Sequence, residues 1–61
     1  MTKEQYKVLR SVQLAYRDYK VTTHRNFGRF FIVVHDETGP LVSASVSNDG
    51  EITNKWRRKD A

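Results

Sequence analysis

Apolar and polar positions change their period twice along the chain. From Lys3 to about Tyr19 there is no Gly or Pro, and Val8, Leu9, Val12, Ala15, Tyr16 and Tyr19 recur at the spacing of one helix face. Thr2 followed three residues later by Gln5 has the form of a capping box, which predicts a helix over about 2–19. Lys20-Val21-Thr22-Thr23-His24-Arg25 is rich in β-branched residues and reads as a first strand. Asn26-Phe27-Gly28 then serves as a three-residue connection.

Phe30-Phe31-Ile32-Val33-Val34 is an unbroken apolar run, predicted as a central strand over 29–35. A strand facing water on one side would alternate, so the run calls for cover on both faces, more than one helix supplies. Asp36-Glu37-Thr38-Gly39-Pro40 marks a reversal, and the strand 41–47 alternates, with Val42, Ala44 and Val46 on one face and Ser43, Ser45 and Ser47 on the other. Asn48-Asp49-Gly50 is a tight hairpin signal leading to a strand over 51–56, with Ile52 and Trp56 on a common side and a frayed basic tail at 57–61. The predicted fold is α+β: one N-terminal α-helix on a four-stranded antiparallel β-meander (α-β-β-β-β, order 1-2-3-4), a single small domain over 1–61.

Length sharpens the question of cover. At 61 residues, a monomer buries only about 60% of the surface its unfolded chain exposes. No cysteine is present to add a disulfide or a thiolate metal site, which fits a cytoplasmic setting. The first residues lack the apolar core of a signal peptide, and the longest apolar run is five residues, so no membrane partner is expected. If the helix covers the Val42/Ala44/Val46 face, the serine face is open, and register decides whether Phe31 and Val33 or Phe30, Ile32 and Val34 join it. A second copy of the chain is the first candidate to cover that face, making a homodimer; unpaired bases and another protein are the others.

Charge adds a direction. The net charge is +4 and the isoelectric point about 9.8, favouring an anionic partner. Lys3, Lys7, Arg10 and Arg17 project from the helix opposite its core face, with Leu14 among them and Tyr6 at the margin. Lys55, Arg57, Arg58 and Lys59 surround Trp56 at the other end. These cations are the predicted phosphate contacts, with Tyr6 and Trp56 as stacking groups. A plain solvated face is the first explanation of the helix stripe, and the meander topology offers local pairing: the tail near Asp36 and Glu37, Arg25 and Arg29 near Asp49 and Glu51.

Catalytic chemistry is not indicated. His24 and His35 stand alone or beside Asp36 without a third metal ligand at a suitable spacing, and the serines follow strand alternation. The three Gly residues are isolated at turns, so no phosphate-cradling loop exists. No enzyme activity, cofactor, metal or small-molecule substrate is expected. The leading expectation is a small basic module contacting nucleic acid. The alternative is a regulator or inhibitor of the bacterial, plasmid or phage accessory kind, docking on an acidic protein surface of a larger enzyme or polymerase. Tyr6, Leu14, Phe31 and Val33 would then be its interface.

Overall fold

Thr2 and Gln5 close a reciprocal capping box: the Thr2 hydroxyl accepts from the Gln5 N–H at 3.2 Å, and Gln5 Oε1 accepts from the Thr2 N–H at 2.8 Å. The helix they open, α1, spans Lys3–Ala15 in the computed structural model, which describes residues 1–60. It stops a turn earlier than its periodicity predicts. Tyr16 leaves helical geometry at φ −120° while its N–H still bonds Val12 O at 2.9 Å, and Tyr19 N–H closes a turn onto Tyr16 O at 2.9 Å. The early stop leaves Ala15 and Tyr19 exposed instead of in the core, and Tyr19 packs edge-on against Tyr16 with ring centroids 6.0 Å apart.

The strands are β1 (Lys20–Asn26), β2 (Arg29–Asp36), β3 (Gly39–Val46) and β4 (Ile52–Arg57). They form one open antiparallel sheet in the order β1-β2-β3-β4, so the fold is α+β with a single N-terminal helix. The first hairpin turns on two residues, not three: Asn26 pairs with Arg29, and Phe27 and Gly28 both have positive φ, 53° and 71°. That is the geometry whose twist matches the flanking strands.

Register resolves the two faces. Phe30, Ile32 and Val34 pair with Val46, Ala44 and Val42 and turn toward α1; Phe31 and Val33 pair with Ser45 and Ser43 on the opposite face. Leu9 of the helix packs with Phe30, Ile32 and Val46, and Val8, Val12 and Val21 surround that cluster. Each fully buried side chain of this kind contributes about 1.5–3 kcal/mol, so a core this small depends on every member. One polar residue joins it. Gln5 is 1% exposed, and its amide nitrogen donates to Val46 O at 3.2 Å, fixing the helix N-terminus on the end of β3.

Two irregularities modify the sheet. Leu41 has no partner between the Val34–Val42 and His35–Pro40 pairs, and Asn54-Lys55 together face Ala44. The second bulge, with Asn54 at φ 50°, shifts the alternation of β4 by one. Ile52 therefore pairs with Val46 on the helix side while Trp56 pairs with Ser43 on the other, so the two do not share a side as their spacing suggested.

β4 runs one residue further than its pattern predicts. Arg57 belongs to β4, and the Arg58 N–H bonds Leu41 O at 2.9 Å. Ala61 lies outside the described residues. No helix among the described residues is long and apolar enough to cross a membrane.

Candidate nucleic-acid interface

The face of the sheet turned away from α1 is built in rows set by the register. His24, Phe31, Ser45 and Thr53 make one row across the four strands; Thr22, Val33, Ser43 and Trp56 make the next. Asn26 and Arg29 lie beyond the first row, at the hairpin end, and Lys20 and His35 beyond the second. Rows two residues apart are separated by about 6.6–6.8 Å and neighbouring strands by about 4.8 Å, so the platform extends in both directions.

Its chemistry follows from β-strand alternation. The His24 ring stacks on Phe31 with centroids 5.2 Å apart and planes 15° from parallel. His24 is exposed and Phe31 half-buried, so the His24 ring is the more accessible member of the stack. Trp56, 47% exposed, supplies a second aromatic surface at the β4 edge. Hydroxyls fill the space between: Ser45 Oγ and Thr53 Oγ1 are 2.8 Å apart, Asn54 Nδ2 donates to Ser45 Oγ at 3.2 Å, and Thr22 Oγ1 bonds His35 Nε2 at 2.8 Å. Arg29 lines a mixed hollow with Phe30, Ser45, Val46, Thr53 and Asn54 at the hairpin end.

No side chain placed on this face by the register is acidic, whereas Lys20 and Arg29 are both exposed cations on it. Of the seven acidic residues, only Asp36 belongs to a strand, as the last residue of β2; the other six lie in the helix, the turns and the tail. Carboxylates are thus confined to the rim of the sheet. Asp36 is held well below the usual carboxylate range by hydrogen bonds from Arg58 first, then from the Thr38 hydroxyl and backbone. Asp49 is lowered too, chiefly by the Ser47 hydroxyl that donates to it. Both remain anionic at neutral pH, Asp36 at the end of β2 and Asp49 beyond the end of β3.

The cations expected to form the contact set do not form one surface. Lys3, Lys7 and Arg10 are exposed on α1, with Leu14 66% and Tyr6 53% exposed on the same helix, whereas Arg17, expected on the helix, is exposed in the turn that follows it. Lys7 pairs with Glu4 at 3.4 Å, and Arg10 donates to the Gln13 side chain at 3.0 Å. Lys55 and Arg57 also fall on the helix side. They stand at the rim of a groove of about 350 Å³ between α1 and the β3–β4 edge, walled by Val8, Val12, Val42, Ala44 and Ile52, and reached also by Trp56 at the β4 edge. Arg58 is engaged by Asp36 and Asp60, and its affinity for its proton rises accordingly. Lys59 is exposed beyond β4. Arg25 and Arg29 form no ion pair with Asp49 or Glu51 among the described residues; Arg25 instead lies over the Phe30 ring, 5.8 Å from its centroid. Arg25 projects to the helix side in register with Phe30, so it and Arg29 straddle the β1–β2 hairpin.

No protein-family model, curated protein or solved structure matches this chain. The site therefore has to be judged on its own chemistry. Of the residues singled out from sequence, Phe31, Val33 and Trp56 come together on one face. Lys20, His24 and Arg29, which complete it, were not among the expected contacts. Counting in twos outward from Phe31 and across the hairpin would have found Arg29 and His24, had the register been known.

Proposed function

We propose that the chain is a single-stranded nucleic-acid-binding module that uses the helix-free face of its sheet. The observation that carries this reading is the combination of exposed ring surface and exclusively neutral or cationic side chains on that face. Base stacking on aromatic rings tolerates any sequence, because every base has a flat face, and cations along the strand path hold the phosphates. His24 on Phe31 and Trp56 are the stacking groups; Lys20 and Arg29 are the phosphate contacts; the exposed Thr53 and half-buried Ser43 hydroxyls offer hydrogen bonds to bases or sugars. Duplex DNA suits a flat sheet less well, since its bases are stacked and only their edges are accessible. The basic helix side adds long-range attraction without direct contact.

The test is fluorescence anisotropy with labelled single- and double-stranded oligonucleotides at rising salt, comparing the wild type with Phe31→Leu, which keeps the apolar volume and removes the ring. Loss of one stacked base weakens single-strand binding by about fivefold to a hundredfold. Equal affinity of the two proteins, or binding that vanishes before physiological salt, rejects the reading.

The groove between α1 and β4 favours a second partner class, an acidic amphipathic peptide. Its walls are apolar and its charged rim residues, Lys55 and Arg57, are both cations. Such a partner predicts peptide binding that Arg57→Glu abolishes and Phe31→Leu leaves intact, the reverse of the pattern for single strands.

A further inference from the structure

Phe27 stands at the tip of the β1–β2 hairpin, 90% exposed, with φ 53°. Both properties run against folding. A fully exposed phenyl ring contributes no burial, and the left-handed region is unfavourable for a bulky side chain, whereas Asn, Asp or Gly fits that turn position readily. The residue is thus unfavourable for the turn and useless to the core, which directs attention to what the ring meets outside the molecule.

Its surroundings say what that is. Arg25 and Arg29 flank the tip on opposite sides of the sheet, and the hairpin contains no acidic residue between Lys20 and His35. Arg29 and Phe31 continue from the tip directly onto the proposed binding face along β2. An apolar wedge carried between two cations, at the end of a base-stacking platform, matches the way apolar side chains enter between base steps and partly unstack them, with the cations placed to attract neighbouring phosphates. We propose that Phe27 is a wedge that unstacks a base pair step where a single strand lying on the sheet enters a duplex, so that the ligand is a single-strand/duplex junction. This rests on the single-strand reading and extends it to a nucleic-acid shape.

The experiment uses the full chain with three labelled ligands: a single strand, a duplex, and a forked duplex with 2-aminopurine at the junction. Wild type binds the fork more tightly than the single strand and raises 2-aminopurine fluorescence as the junction base unstacks. Phe27→Asn removes the ring and relieves the turn, so it melts at a higher temperature, keeps single-strand affinity within about twofold, and loses about tenfold on the fork together with the fluorescence rise. Phe27→Trp retains both. If single-strand binding is present but fork binding and fluorescence do not depend on Phe27, the wedge is overturned and the platform stands. If wild type binds no single strand, the platform fails and the wedge fails with it. If Phe27→Asn instead abolishes binding to vesicles of anionic phospholipid, or dissociates a dimer, with no change on the fork, the ring serves a membrane or a second copy and the proposal is overturned.

Discussion

The Arg58 guanidinium grips the Asp36 carboxylate with both terminal nitrogens, Nη1 to Oδ1 at 3.1 Å and Nη2 to Oδ2 at 2.5 Å. This pair fastens the segment after β4 to the end of β2, across β3, and the Thr38 hydroxyl accepts from the same guanidinium at 2.7 Å. A two-pronged contact fixes orientation as well as charge, which is why the chain beyond β4 is held.

Asp36 is stabilised as an anion in the folded protein, its proton affinity lying below the ordinary carboxylate range. The sign of the pH dependence follows. Stability from the pair is complete above the unfolded-state value near 3.9 and is lost as pH falls below it toward the lower folded-state value. Asp36→Asn therefore melts below wild type at pH 7, and the gap between them narrows steadily as pH falls below about 3.9. An unchanged gap between pH 7 and pH 2 would show that the carboxylate acts through shape and not charge.

Gln5 is the most consequential polar side chain for folding. It satisfies Val46 O and the Thr2 N–H at once, and sits 1% exposed where the helix meets β3. Gln5→Ala leaves both groups without that partner and opens a gap, at a cost of about 2–4 kcal/mol in urea unfolding. Val12→Ala, at the half-buried rim of the same core, costs less.

The difference between those two positions illustrates what the sequence made legible. Local signals survived: the Thr2/Gln5 box, the Gly-bearing turns and the apolar run of β2 each act over a few residues, and they yielded every element and their antiparallel order. Features set by chain meeting chain did not. Gln5 read only as a capping group because burial against β3 depends on how the helix crosses the sheet. The bulge at Asn54 moved Trp56 to the face opposite Ile52, a shift that alternation cannot register in advance. The candidate interface was half visible for the same reason. Cationic clusters can be counted along a chain, but Lys20, His24 and Arg29 join Phe31 only through pairing between strands.

Gly50 and Gly28 separate backbone strain from crowding. Both have positive φ, 90° and 71°, and both turn a hairpin. An added Cβ at Gly28 meets nothing within 4 Å, while at Gly50 it meets Glu4 Cβ at 3.2 Å, in the first turn of α1. Ala at either site costs about 1–2 kcal/mol for the left-handed conformation. Gly50→Ala costs more, because the helix start must move away from the β3–β4 turn and disturb the bond from Thr2 Oγ1 to Asn48 O. Equal losses in urea unfolding would show that the first helical turn yields freely.

Which cations would contact nucleic acid under the proposed function is decided by comparing two pairs. Lys7 and Arg10 occupy the helix side, Lys20 and Arg29 the helix-free face of the sheet. All four are exposed, so neutralising any pair changes net charge equally and leaves the core untouched. For single strands each phosphate contact contributes about 0.7 to the slope of log affinity against log salt, so Lys20→Gln with Arg29→Gln lowers that slope by about 1.4. Lys7→Gln with Arg10→Gln weakens attraction at low salt through net charge alone, and the difference from wild type fades as the screening length falls to about 8 Å at physiological ionic strength. The reverse pattern would place the contacts on the helix and leave Phe31 and His24 without a role in binding.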